Sequence, residues 1–326
     1  MKTNNQELVR VESLTKHFTL GGSFLNKKQE IIRAVENLSF TVYKGETLGI
    51  VGESGCGKST TGRLLLRLME ATSGSVYFEG ENVLEYSKEQ LRAKRKDFQM
   101  IFQDPYASLN PRMTVEELIS EPLRTYKVQN RKERLLKLVD AVGIPKDYLT
   151  RYPHEFSGGQ RQRIGIARSL ALNPKFIVAD EPVAALDVSI QAQIINLMKD
   201  LQDEFDLTYL FIAHDLSVIE YISDRIAVMY LGGIVELTSS ERLYEKPLHP
   251  YTQALISAIP IPDPTISRDR IKLFGDIPSP MNPPAGCKFH TRCPLAQDIC
   301  KQAIPELREV EPEHFVACHL VEESLL

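Results

Sequence analysis

The sequence predicts an α/β fold with a mainly parallel sheet, and three observations carry that expectation. QMIFQD, KFIVADEP and YLFIAHD are short apolar runs that each end abruptly in polar residues. A fourth run, TLGIV, leads into the glycine-rich GESGCGKS and then into STTGRLLLRLM, a stretch that reads as a helix. Short, nearly all-apolar strands suit a sheet buried on both faces. Parallel sheets gather ligand-handling groups at the carboxyl ends of their strands, so Gln103, Asp180, Glu181 and His214 are expected to converge beside the glycine loop.

In chain order, LVRVESLTKHFTL (8–20) alternates well enough for a strand, and SFTVYKGETLGI reads as a strand, a Lys-Gly turn and a further strand. The intervening TLGGSFLNKKQEII reads as a longer connection. Residues 112–150 are rich in helix formers and predict two or three helices inserted between strands. After Asp187, suited to an N-cap, residues 188–205 place Ile190, Ile194, Leu197, Met198, Leu201 and Phe205 on one helical face as a core-packing stripe. From Pro247 prolines multiply (KPLHPYTQ, AIPIPDPT, DIPSPMNPPAG), which predicts a small, irregular, cysteine-bearing extension over 247–326 beside a main domain over 1–246. The sequence has no internal repeat, heptad run or low-complexity tract.

A chain of 326 residues has room for one large domain and a smaller one. With 43% hydrophobic and 25% charged residues it reads as soluble and globular. A net charge of −4 argues against a sequence-independent nucleic-acid binder, which would show a basic excess. The opening MKTNNQELVR lacks the apolar core of a secretory signal. No apolar run approaches the roughly 18–20 residues that span a bilayer, so any membrane role is expected to come through partners. Of five cysteines, four crowd between Cys287 and Cys318. Without a signal peptide the compartment is expected to be reducing, which favours free or metal-bound thiols over structural disulfides.

Gly52-Glu53-Ser54-Gly55-Cys56-Gly57-Lys58-Ser59 fits the G-x-x-x-x-G-K-[ST] pattern between a strand and a helix. Glycines let successive backbone N–H groups turn inward around phosphates, and the helix that follows adds its positive end. Lys58 is expected to reach the β- and γ-phosphates, and the Ser59 hydroxyl to ligate Mg²⁺. Asp180, closing an apolar strand, is suited to hold the same ion from the other side; Glu181 is then placed to orient and deprotonate an attacking water. The plain alternative for these two residues is an acidic pair capping the following helix. Cys56 is expected to matter through its backbone rather than its thiol.

About a hundred residues later, EFSGGQRQRIG is a second glycine-rich turn running into a helix, without a lysine placed for a phosphate. At this point the chain resembles the ATP-binding-cassette (ABC) ATPases. FSGGQ at 156–160 is similar to the family's LSGGQ signature, with Phe156 in place of leucine and with Ser157, Gly158, Gly159 and Gln160 kept. Gln103 matches the Q-loop, FIVADE the Walker B motif with its glutamate, AALD (184–187) the D-loop, and His214 the switch histidine. Phe18 matches the aromatic that stacks on adenine, although a phenylalanine in a strand serves a core equally well. The motifs follow in family order over residues 8–245.

That resemblance implies a RecA-like, mainly parallel core, an antiparallel β subdomain and a helical insert over about 104–170 that couples ATP state to transmembrane subunits. It implies ATP and Mg²⁺ bound by Phe18, the loop through Thr60, Gln103 and Asp180, with Lys58, Gln103, Glu181 and His214 acting in hydrolysis. It also implies head-to-tail dimerisation, in which Ser157, Gly158, Gly159 and Gln160 complete a partner's ATP site and Asp187 faces the seam. A helix N-terminus with backbone donors suits a phosphate in the absence of a lysine.

PLHPYTQALISAIPIPDP and GDIPSPMNPPAGCKFHTRCP are similar to the C-terminal region of oligopeptide and dipeptide permease ATPases, particularly the F-type subunit. The match covers nearly the whole chain. It implies one of two non-identical ATPase subunits, peripheral on the cytoplasmic face of a bacterial membrane. Its implied partners are a paralogous ATPase in a cassette heterodimer, two transmembrane permease subunits and an external substrate-binding protein, with no nucleic acid. Nickel, glutathione and sugar importers are the related alternatives. A soluble cassette ATPase of DNA repair or translation would show a long coiled coil or a tandem cassette. A non-hydrolysing cassette is disfavoured because Lys58, Asp180, Glu181 and His214 are all present.

The spacing of Cys287, Cys293, Cys300 and Cys318 is not the CxxC of common zinc or ferredoxin motifs, so the residues alone leave the metal open. The permease resemblance implies an iron-sulfur, [4Fe-4S], cluster. Zinc, with His290 and His319 able to complete a mixed site, and unligated thiols are the alternatives.

Overall fold

The computed structural model describes residues 6–20, 30–260 and 270–321. The connection expected over 19–32 and the proline-rich stretch 258–265 lie partly outside them. Two compact units interleave along the chain, one from Met1–Glu7, Val42–Thr47 and Glu85–Ala213, the other from Leu8–Thr41, Leu48–Leu84 and His214–Leu326.

The strands, in order, are β1 (Glu7–Leu20), β2 (Glu30–Tyr43), β3 (Thr47–Val51), β4 (Ser73–Phe78), β5 (Glu81–Asn82) and β6 (Phe98–Ile101). There follow β7 (Phe176–Asp180), β8 (Thr208–Ile212), β9 (Arg225–Tyr230), β10 (Gly233–Ser239), β11 (Arg308–Glu311) and β12 (His314–Val316).

In the unit containing residues 85–213, β6, β7 and β8 run parallel, with Phe98 beside Phe176 and Phe176 beside Thr208. Strands β7 and β8 are buried at every position, as their unbroken apolar runs require. Between β6 and β7 lie the helices Val115–Thr125, Arg131–Ala141 and Gly158–Ser169. Thr114 opens the first of these with a capping box closed by Glu117, and Val115, Leu118, Ile119 and Leu123 give it a buried face. The helix Val188–Phe205 begins at Asp187 and buries Ile194, Ile195, Leu197, Met198 and Leu201. Ile190 and Phe205, at its ends, are only half-buried, so the buried stripe is shorter than its spacing suggests and gains Ile195 in its middle.

In the other unit, β2, β1, β4 and β5 form a four-stranded sheet in that order. Strand β1 pairs antiparallel with β4, Val9 opposite Phe78. Strand β3, buried throughout, runs parallel to β9, and β10 returns antiparallel to β9. The C-terminal residues are more regular than their prolines suggest. Strand β12 pairs antiparallel with β10, and β11 with β12, so the segment extends the sheet. Alternating residues in REVEPEHFV supply the pairing, and Glu313 takes the left-handed backbone of the turn at φ 59°.

A buried carboxylate secures this addition. Glu236 on β10 accepts from the N–H groups of Leu248 and His249 at 2.8 and 2.9 Å, and lies 2.8 Å from His314 Nε2 on β12. Glu236, His249 and His314 are all buried, and the bonds to the carboxylate offset the large cost of removing it from water. No helix among the described residues is long and apolar enough to cross a membrane.

Candidate nucleotide site

The turn after β3 is a tight glycine turn running into a helix. Gly57 sits at φ 105°, and a Cβ there would lie 2.2 Å from the Ala34 carbonyl oxygen, so backbone conformation and close approach both demand glycine. Gly57 is also the N-cap of the helix Lys58–Leu65 and provides no side-chain cap. Ser59 and Thr60 stand half-buried in its first turn, while Ser54 and Gly55 are exposed at the tip of the loop. Lys58 is 5% exposed, and its ammonium donates to the carbonyls of Gly52 and Glu53 at 2.8 and 3.2 Å. Cys56 takes part through its backbone, donating to Glu53 O at 3.3 Å and accepting from Gly232 N–H at 2.9 Å. Burial pushes its thiol above the ordinary range. Phe18 is half-buried at the end of β1, with the Lys16 ammonium 5.1 Å from its ring centre.

At the ends of β6 and β7, Gln103 Nε2 donates to Glu181 Oε2 at 2.9 Å. Asp180 is buried as the last residue of β7. Glu181 has φ 47°, a left-handed backbone that costs a non-glycine residue about 1–3 kcal/mol. Its N–H donates to Ile212 O at 2.9 Å, and its carbonyl accepts from Ala184 N–H at 3.2 Å. Sheet and turn thus hold the carboxylate-bearing residue in an uncommon conformation. His214 is exposed, two positions beyond the end of β8.

The second glycine turn caps itself. Ser157 Oγ accepts from Gln160 N–H at 3.4 Å, and Gln160 Oε1 accepts from Ser157 N–H at 3.0 Å. A Cβ on Gly159 would meet Ile190 Cγ2 at 2.5 Å, and one on Gly158 would meet Leu186 Cδ2 at 3.2 Å, so the glycines let this helix approach its neighbours closely. Phe156 is buried and makes an edge contact with Tyr148 at 5.7 Å, which explains how phenylalanine serves where the family pattern has leucine. Asp187 spends its carboxylate on its own helix, accepting from Ser189 Oγ at 2.7 Å and Ile190 N–H at 3.1 Å, and these bonds hold its pKa low.

Residues 35–184 match the family model described as "ABC transporter", and residues 235–300 match "Oligopeptide/dipeptide transporter, C-terminal region". The chain is 55% identical over 97% of its length to the oligopeptide transport ATP-binding protein AppF of Bacillus subtilis (strain 168), covering 98% of that protein. The chain belongs to the ABC transporter ATPases of the oligopeptide/dipeptide group.

The putative oligopeptide transport ATP-binding protein YkfD of Bacillus subtilis (strain 168) is 57% identical, over 96% of this chain and 95% of its own. Among solved structures, the ATP-binding cassette MJ0796, in a dimeric post-hydrolysis state bound to ADP and Pi, superposes with a TM-score of 0.63 at 30% identity. That likeness covers 72% of this chain and 99% of the cassette.

The four C-terminal cysteines lie near one another: Cys293, Cys300 and Cys318 bear electrostatically on Cys287, Cys300 and Cys318 on Cys293, and Cys300 on Cys318. Burial, with lesser contributions from the other three thiols, pushes Cys287 up to about 11. Among the described residues, however, no group of three or more His, Cys, Asp or Glu side chains is arranged to hold a metal ion, so the geometry does not support the expected iron-sulfur or zinc ligation. The two histidines considered for zinc point elsewhere. His290 Nδ1 lies 2.8 Å from Cys287 O and His319 Nε2 lies 2.9 Å from Ala303 O.

Tyr251 and Arg292, which lie in none of the motifs, both contact Glu53 in the glycine loop. Glu53 N–H donates to Tyr251 Oη at 3.0 Å, and both arms of Arg292 meet the Glu53 carboxylate. Some two hundred residues separate these partners, and no local periodicity connects them.

Proposed function

We propose that this chain is the ATP-hydrolysing subunit that energises import of oligopeptides or dipeptides through a multi-subunit ABC importer. The observation that carries the hydrolytic part is Glu181, held at φ 47° at the end of a buried strand with its carboxylate engaged by Gln103. The peptide part rests on the likeness to AppF, whose name assigns it to oligopeptide transport.

In this reading the loop from Gly52 to Thr60 receives the phosphates and Phe18 the adenine. Lys58 exchanges its two carbonyl partners for phosphate oxygens, which as anions are the stronger acceptors. Glu181 takes the proton from the attacking water, and Gln103 and His214 position that water and the γ-phosphate. The hydroxyl of Ser59, the amide oxygen of Gln103 and the carboxylate of Asp180 are hard oxygen donors that suit Mg²⁺, which supplies charge neutralisation at the phosphates when bound.

Residues 1–246 form the ATPase domain, with its helical insert over about 104–170, and residues 247–326 the extension. The proposed assembly is a head-to-tail heterodimer with a paralogous cassette on the cytoplasmic face of the membrane. There Ser157, Gly158, Gly159 and Gln160 complete the partner's ATP site, beside Asp187. Two transmembrane permease subunits and an external binding protein complete the importer. A [4Fe-4S] cluster on Cys287, Cys293, Cys300 and Cys318 rests on the permease resemblance and not on their geometry, and iron and acid-labile sulfide assays on anaerobically purified protein decide it.

Uptake of a labelled peptide is the test, in cells whose only copy is wild type or Glu181→Gln, with assembly checked. The expected outcome is loss of uptake together with a fall of at least about 10²-fold in hydrolysis at this site. Unchanged uptake with normal assembly would mean either another substrate, turning the search to nickel and glutathione, or an ATPase cycle dominated by the partner subunit.

A further inference from the structure

Glu53, the second residue of the phosphate loop, has every polar group engaged. Its carbonyl holds Lys58, its N–H donates to the Tyr251 hydroxyl, and its carboxylate receives Arg292 through two parallel bonds, Nη1 to Oε2 at 2.6 Å and Nη2 to Oε1 at 3.0 Å. Both outside partners come from the C-terminal part of the chain. Exposed ion pairs contribute little, but this one is bidentate and its guanidinium side chain is only 8% exposed. The carboxylate in turn raises the arginine's pKa.

The partners stand on a firm base. Tyr251 is fully buried, its ring 4.8 Å from Tyr230 and 5.3 Å from Phe289, itself 1% exposed. Lys288, next to Phe289, bonds Glu36 and the Leu231 carbonyl, both at 2.7 Å. Aromatic packing and ion pairs on both sides of the segment leave Tyr251 and Arg292 little freedom to follow a moving loop.

We propose that Tyr251 and Arg292 are positioning residues for ATP: they hold Glu53 so that the phosphate loop is ordered before nucleotide arrives, and Arg292 cancels a carboxylate charge at the cradle. The inference rests on the reading of residues 52–59 as the ATP loop. It gives the extension a role in nucleotide affinity that its position at the far end of the sequence does not suggest. A loop fixed in its binding shape binds more tightly because ordering is not charged to the association step. An unpaired carboxylate would repel the phosphates.

Equilibrium ATP binding by the full chain, with KM and kcat measured in the assembled importer, tests this. Arg292→Met is expected to weaken ATP binding and raise KM about tenfold with kcat nearly unchanged, and Tyr251→Phe to do so about threefold. Adding Glu53→Gln to Arg292→Met should recover part of the loss, because the repelling charge goes with it, and Arg292→Lys should fall between wild type and Arg292→Met. Should Arg292→Met fail to fold, Tyr251→Phe decides, since it removes one oxygen from an unchanged ring. Wild-type affinity and KM in both single variants, or lowered melting temperatures with affinity unchanged, would overturn the inference and leave these contacts a purely structural role. Failure of the wild-type chain to bind ATP would instead overturn the phosphate-loop reading itself, and this inference with it.

Discussion

The two glycine-rich turns, one after β3 and one at Ser157, solve the same local problem in opposite ways. Each leads a loop into a helix whose first N–H groups need acceptors. The turn at Ser157 supplies its own, through the reciprocal bonds of Ser157 and Gln160, and its glycines serve close packing. The turn after β3 has a left-handed glycine at the N-cap and no side-chain cap, and its Glu53 is bonded by Tyr251 and Arg292 far along the chain. A loop that must offer its backbone donors to a ligand cannot spend them on itself, so its rigidity has to be borrowed. A self-capped turn can be shaped by its own few residues.

The largest expected effect on this contrast comes from Gly57→Ala. Its φ of 105° and the 2.2 Å approach to Ala34 O leave no room for a Cβ, so ATP affinity should fall by at least about 10²-fold, checked by equilibrium binding. Acidification should come next, acting on the borrowed support through His249. His249, whose Nδ1 accepts from Tyr251 N–H at 3.1 Å, is held by burial near a pKa of about 4, with the Glu236 carboxylate opposing the shift. Its ordinary value is near 6.5, so its unfolded form takes up a proton first as pH falls. The stability it contributes is complete above about pH 6.5 and is lost progressively toward pH 4, at about 1.4 kcal/mol per unit of difference. Melting temperature measured between about pH 7 and 5 should therefore fall, and His249→Asn should flatten the slope.

Smaller effects belong to the self-capped turn. Gly159→Ala would push against Ile190 and should cost about 1–3 kcal/mol in thermal unfolding. Ser157→Ala should cost about 1 kcal/mol by loss of the cap, read in the same experiment. A Gly57→Ala chain that binds ATP normally, or a Ser157→Ala chain more destabilised than Gly159→Ala, would break the comparison.

The strands were legible in the sequence because burial on both faces imposes an unbroken apolar run: β3, β7 and β8 are buried at every position. The candidate site residues were legible for a related reason, since a glycine-rich turn, a strand-end carboxylate and a helix cap each span only a few residues. The C-terminal strands were hidden by the surrounding prolines, and β11 and β12 became regular only by pairing with β10. Gathering the four cysteines likewise depended on the fold. Sequence alone determined which residues form the two glycine-rich turns and the acidic strand end. Only the tertiary structure decided that Glu53 is held by Tyr251 and Arg292 and that Glu236 meets His314, because such contacts depend on side-chain geometry between distant segments and leave no local period to read.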